Sequence, residues 1–213
     1  MHIMARYSTE HKGQTRARIL AASDRLLKER GAEAASIDAV MKRAGLTVGG
    51  FYAHFASKED LGRETLLYGL DASMDRLLDS LADIADDRAW VRALIRRYLR
   101  QVDDPDLAES CPMTLLLPEV TRGGPAFQAA FSERTAALLG RVAPRFPAAM
   151  GMSPREVAIA VFASCAGAVA FARTIPAPHA RDRVLNATET MLVAALGLED
   201  REPSDTPGAP TTG

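Results

Sequence analysis

The sequence predicts an all-α chain: a small N-terminal three-helix domain containing a helix-turn-helix, followed by a larger helical domain. Three observations carry this. Apolar residues recur at helical spacing in one segment after another, as with Ile37, Val40 and Met41, or Leu66, Leu70, Met74, Leu77 and Leu81. No stretch reads as a convincing strand, an internal repeat or a coiled-coil heptad. Within residues 36–58, SIDAVMKRAGLTVGGFYAHFASK, one short apolar stripe ends at a glycine and a second helix follows almost at once.

Composition narrows the class. At 213 residues the chain can bury a sizeable core, and its 25% charged and 47% hydrophobic content is that of a soluble globular protein. Arg and Asp recur throughout, so no apolar run of transmembrane length is read, and MHIMARYSTEHK lacks the apolar core of a signal peptide. Cys111 and Cys165 are too few and too far apart for a zinc site or a disulfide framework. The expectation is a cytoplasmic protein with no metal, no cofactor and no membrane partner. The net charge of −1 hides a split: residues 1–58 carry 10 Lys/Arg against 5 Asp/Glu, a balance of +5, and the remainder carries 16 against 22, a balance of −6. A positive end on a negative body concentrates attraction for phosphate at one place.

The first helix is read over Thr15 to Arg30 from Ile19, Ala22, Leu26 and Leu27, with Gly31 as its stop and residues 1–12 as a polar lead. Ser36 stands where its hydroxyl caps the second helix, Ser36 to Arg43. Gly45 supplies the left-handed residue that a sharp turn requires. Thr47 is read as the cap of a further helix containing Val48 to His54. Thr47, Val48, Gly49 and Gly50 are small enough for close approach to another macromolecule, while Tyr52 and His54 reach further. Lys58 opens the next helix, where its charge and nearby N–H groups suit a phosphate. Two consecutive glycines in a helix cost about 1 kcal/mol each relative to Ala, a cost that local propensity gives no reason to accept.

LTVGGFYAHFASKEDL resembles the DNA-binding signature of the TetR family of bacterial transcription repressors, matching at Thr47, Gly49, Tyr52, His54, Phe55, Ser57, Lys58, Glu59 and Leu61. With its preceding helix the resemblance spans about residues 13 to 62. It implies a DNA-binding domain at 13–60 and a helical effector-binding and dimerisation domain at 61–197; the Pro-, Gly- and Thr-rich composition of the end of the chain predicts a disordered tail at 198–213. It also implies DNA contacts from Thr15, Arg16, Ser36, Thr47, Val48, Gly49, Gly50, Tyr52, His54 and Lys58, with Arg18 close by. Phe51 and Phe55 read as core. Gly50 departs from the longer polar residue common in the family, and no Arg or Lys precedes Lys58 on the recognition helix. Specificity is therefore expected from thymine methyl contacts, backbone approach and DNA shape.

Beyond Lys58 a long helix connects this head to the body, with Ser57 and Asp60 as a capping pair. A segment from Arg88 to Val102 follows, then a loop at Asp103-Asp104-Pro105-Asp106 and a helix over Cys111 to Thr121 that Gly123-Gly124-Pro125 breaks. Phe127 to Val142 forms another helix. Ser153-Pro154-Arg155-Glu156 is a capping box opening a helix dense in Ala and Gly, which Pro176 and Pro178 end. Arg181 to Leu196 is the last helix. The family resemblance implies a homodimer through these two terminal helices and a small inducer in the body. Trp90, Tyr98, Cys111, Met113, Phe127, Phe131 and Phe162, with Phe171, have the chemistry to line its site. Cys111, at a helix N-terminus, is a further candidate for sensing an electrophile.

The function expected is a ligand-responsive dimeric repressor on a near-palindromic stretch of double-stranded operator DNA, released by an apolar or electrophilic inducer. Two alternatives stay open: an all-helical enzyme, or a protein-interaction module with a basic N-terminal face. The chain carries no Walker loop, HExxH, Cys-x-x-Cys or nucleophile elbow, so catalysis has no visible starting point.

Overall fold

Local capping and turn chemistry fix the N-terminal elements. The computed structural model describes residues 2–102, 117 and 120–199. Helix α1 spans His2–Ala34, well beyond the expected Thr15 to Arg30. The correction has a simple cause: no Pro or Gly precedes Gly13, and Gly31 alone only weakens a helix that Ala32, Glu33 and Ala34 continue. Helix α2, Ile37–Arg43, begins where the Ser36 hydroxyl accepts from the Ala39 N–H at 3.2 Å. It ends in a Schellman turn: Gly45 at φ +67° donates to the Lys42 carbonyl at 3.1 Å, and Leu46 donates to the Met41 carbonyl at 2.9 Å. Arg18 donates to the Ala44 carbonyl at 2.7 Å, satisfying one more open end of α2.

Residues 48–53 form a 3-10 helix rather than an α-helix (Val48–Ala53), with His54 at its C-cap. Gly49 and Gly50 give little α-helical propensity, and a segment this short gains few i→i+4 bonds to offset that. Thr47 occupies the cap position in backbone terms, but its side chain makes no capping bond. Helix α3, Lys58–Asp79, starts with the Ser57 hydroxyl accepting from the Asp60 N–H at 3.1 Å, while the Asp60 carboxylate accepts from the Ala56 N–H at 3.1 Å.

These elements enclose a small core of Ile19, Leu20, Leu26, Val40, Met41, Phe51, Phe55 and Leu61 with their smaller neighbours. A second, larger core begins at Leu66, five residues further along α3. The seam between head and body therefore lies inside α3. Thr65 marks it: its hydroxyl oxygen lies 2.9 Å from that of Ser23 and 2.7 Å from the Leu61 carbonyl, with both side chains buried. Close to the same level α1 and α3 approach tightly at Gly69, where a Cβ would stand 2.6 Å from Asp24 Oδ1. Any larger residue there must displace an Asp24 carboxylate already bonded to Lys28 at 2.8 Å.

Among the described residues the body comprises α4 (Asp87–Arg100), α5 (Gly124–Val142), a 3-10 turn at Ala143–Arg145, α6 (Pro154–Arg173) and α7 (Pro178–Ala195), while the expected loop at Asp103-Asp104-Pro105-Asp106 and most of the expected helix over Cys111 to Thr121 lie outside them. The capping box at Ser153 and Glu156 is present. Pro178 starts α7 instead of only ending its predecessor, because proline fits the first helical turn, where its missing N–H is not needed. Arg145 acts as a clasp. It is bonded to Asp87 at 2.6 Å and to the Ile84 and Ala85 carbonyls at 2.9 and 2.8 Å, and its guanidinium lies 4.7 Å from the Trp90 ring centre. Contrary to the sequence reading, α6 is long and apolar enough to cross a membrane by length and composition, though half of that stretch is buried within the fold. Its apolarity serves the core on one side and, as described below, an exposed stripe on the other.

Candidate nucleic-acid interface

The 3-10 helix sorts its side chains sharply. Phe51 is fully buried, stacked on Phe55 at 5.7 Å between ring centres and met edge-on by Tyr52 at 5.1 Å. Thr47, Val48, Gly49 and Tyr52 face outward, Tyr52 being 70% exposed although its ring edge rests on the core. Gly50 is half-buried over Met41. A surface of small and uncharged groups with one projecting phenol is thus held on a rigid aromatic base. Lys58 is exposed at the start of α3, a short distance along the chain.

Other candidates have internal partners. Arg16 is bonded to Glu64 at 2.9 Å and lies 4.7 Å from the Phe55 ring centre, so it braces α1 against α3 as well as adding charge. The Thr15 hydroxyl donates to the His11 carbonyl at 2.9 Å and keeps lone pairs for an external donor. Ser36 is occupied as the α2 cap. Arg43 forms a two-pronged bond to Glu29, both contacts at 2.6 Å. The sequence reading passed over Lys12, which is exposed and sits one turn before Arg16 on α1. That i, i+4 spacing of two cations was the available signal.

His54 is half-buried, and its Nδ1 is buried without a partner among the described groups. Burial, then the charges of Lys12 and Arg16, push its pKa below the ordinary histidine value. The folded head therefore binds this proton less well than the unfolded chain. The contribution is constant above the ordinary histidine range and is lost as pH falls below it. Thermal unfolding of the head is expected to shift to lower temperature between pH 7 and 5, and His54→Gln should flatten that part of the pH profile. An unchanged slope in the variant would contradict the assignment.

The expected effector residues fall into two groups. Trp90 meets Phe146 edge-on at 6.4 Å, Tyr98 meets Phe162 at 5.7 Å, and Phe131 is buried; these pack the body core. Phe127 is buried and lines a cavity between head and body. Phe171 is the exception to the sequence reading: it is 60% exposed, on the face of α6 turned from the core. Cys111 and Met113 lie outside the described residues. Among the described residues no group of three His, Cys, Asp or Glu is placed to hold a metal ion.

Residues 19–65 match the family described as bacterial regulatory proteins, tetR family. A curated relative from Bacillus subtilis (strain 168), YfiR, described as an uncharacterized HTH-type transcriptional regulator, is 34% identical over 68 residues. That match covers 32% of this chain and 33% of the relative, so it spans about a third of that protein's length. Among solved structures, Escherichia coli NemR in its reduced form is similar over 87% of this chain and 100% of its own, with a TM-score of 0.68 and 21% identity. A putative regulator from Saccharomonospora viridis in complex with choline is similar over 84% and 96%, with a TM-score of 0.65 and 20% identity. A TetR regulator from Chloroflexus aurantiacus is similar over 86% and 96%, with a TM-score of 0.64 and 21% identity.

Proposed function

We propose that this chain, a member of the tetR family through its N-terminal domain, is a dimeric repressor that reads a near-palindromic operator and is released by a small organic inducer. The family is one of transcription regulators, which leaves the enzyme alternative without support. The observation that carries the reading is the outward row of Thr47, Val48, Gly49 and Tyr52 over the buried Phe51 and Phe55. It gives the head a close-approach surface on a stiff support, flanked by Lys12, Arg18 and Lys58 for phosphates. On this reading the protein works in the cytoplasm, where a bacterial operator lies.

Dimerisation is assigned to α6 and α7. On α6 the exposed positions Ile159, Ala163, Gly167 and Phe171 follow one another at four-residue steps, with large residues at the ends and small ones between. On α7, Ala187, Met191, Ala194 and Ala195 are also exposed, one large residue among three small ones. Such a face suits a two-fold copy of itself, whose helices seat against the small residues. An inducer then acts by preferring a protomer arrangement in which the two heads no longer match successive major grooves. The choline complex of the Saccharomonospora viridis protein supports a small-molecule role for a body of this shape.

The test is a salt-titrated shift assay on the DNA upstream of the chain's own coding region. Specific binding is expected to fall steeply with salt and to survive nonspecific competitor. No specific complex at low salt would overturn the proposal. Gly49→Ala sharpens it. A Cβ at Gly49 meets nothing within 4 Å, and the backbone there is not left-handed, so the fold does not require this glycine. The variant is expected to stabilise the head by about 0.4–1 kcal/mol while weakening the operator complex on the scale of one lost base contact, about 1–3 kcal/mol. Undiminished operator affinity would show that Gly49 does not face DNA.

A further inference from the structure

At the seam between head and body lies an open-mouthed cleft of about 660 Å³, within the range of sites that hold small organic ligands. Its walls come from α1, the first two turns of α3 and the beginning of α5. Leu61, from the head core, lines it together with Leu27, Leu66 and Phe127, which pack with the body core. The buried hydroxyls of Ser23 and Thr65, 2.9 Å from each other, are the polar groups of its inner wall. Toward solvent the lining changes character: Lys58, Arg63 and Arg122 are all exposed there, Arg63 with one N–H bonded to Asp60 at 2.9 Å and its remaining donors open to a ligand.

Charge at that opening favours an anion. The carboxylate that also lines it, Glu59, is bonded to the Ser57 hydroxyl and to its own backbone N–H, which hold its carboxyl below its ordinary pKa. It therefore stays ionised, and the opening sets the three cations of the lining against this one carboxylate. Lys58 joins no salt bridge among the described residues, and the positive end of the α3 dipole lies beside it.

We infer that this cavity binds an amphipathic organic anion, with its apolar part against Leu27, Leu61, Leu66 and Phe127 and its acidic group toward Lys58, Arg63 and Arg122. Occupancy touches both cores at once, so a ligand that fits one cavity shape better favours one angle of head on body. It also neutralises Lys58, an expected phosphate contact. The effect on DNA rests on the repressor reading above; the binding itself does not.

The test uses the full chain, with 1-anilinonaphthalene-8-sulfonate as a fluorescent probe, decanoate as competitor and 1-decanol as its uncharged counterpart. Gly62 lines the cavity, and a Cβ there meets nothing within 4 Å, so the backbone position accepts a side chain and Gly62→Leu is the variant chosen to fill the space. Decanoate is expected to displace the probe in the wild type and to bind about tenfold more weakly to Gly62→Leu, an effect of about 1.4 kcal/mol, with thermal stability retained or raised. The double variant Arg63→Gln, Arg122→Gln is expected to weaken decanoate but not decanol. Failure of both probe and decanoate to bind at millimolar concentration overturns the site. So does binding indifferent to Gly62→Leu, or decanol competing as well as decanoate. The DNA arm is separate. A specific operator complex that ignores saturating decanoate would remove the coupling and leave the binding site, whereas decanoate binding without any specific DNA complex would remove the repressor reading alone.

Discussion

A Phe171→Glu chain is expected to sediment as a monomer at concentrations where the wild type is a dimer, and to lose specific operator binding with its head intact. Phe171 is 60% exposed and ends the α6 stripe, so its replacement removes little from the protomer's own core. Two-fold symmetry doubles the effect, because each interface holds the substituted residue from both copies. Removing an aromatic anchor costs about 2 kcal/mol or more per copy. With the charges added, the dimer dissociation constant should rise by about a thousandfold, which corresponds to about 4 kcal/mol. Each lone head then meets only one half-site. Sedimentation equilibrium and circular dichroism together check this: a monomer with unchanged helicity is expected. A variant that remains dimeric, with operator binding undiminished, would move the interface away from α6.

The second large effect concerns Phe51. Phe51→Ala removes a fully buried ring from a small core, together with its stack on Phe55 and its edge contact with Tyr52. Substitutions of this kind cost about 3–5 kcal/mol. The head has a core distinct from that of the body, so the loss should be local: amides of α2 and the 48–53 turn become fast in hydrogen exchange, while those of α6 keep their protection. DNA binding should vanish and dimerisation persist. Uniform destabilisation of both cores would show that the seam within α3 does not separate two cooperative units.

Much of the head is legible in the sequence because its determinants are local: Ser36, Gly45 and Ser57 each specify a cap or turn within a few residues, as the Ser153–Glu156 pair does in the body, and each takes the conformation its chemistry demands. Gly31 was misleading, since a lone glycine weakens a helix without ending it when good helix formers follow. The 3-10 form of residues 48–53 departs from the expected α-helix, although its signal, two glycines in a segment too short to gain many i→i+4 bonds, is in the sequence. For the body, periodicity marks Trp90, Tyr98, Phe131 and Phe162 as inward-facing but cannot tell a core wall from a pocket wall. Nor can it show that Phe171 falls on the outer face of α6. The seam cavity was invisible because Ser23, Thr65 and Phe127 meet from three separate helices.

The most direct test of the central claim is hydroxyl-radical footprinting of the full chain on the DNA to which it binds upstream of its own coding region. Two dimer-related heads should protect two patches related by a dyad, their centres separated by one helical turn of about 10–10.5 base pairs or a multiple of it. The Phe171→Glu chain should lose the paired pattern. A single unpaired patch with the wild type, or protection that spreads evenly along the duplex, would contradict a dimer reading two half-sites through residues 47–58.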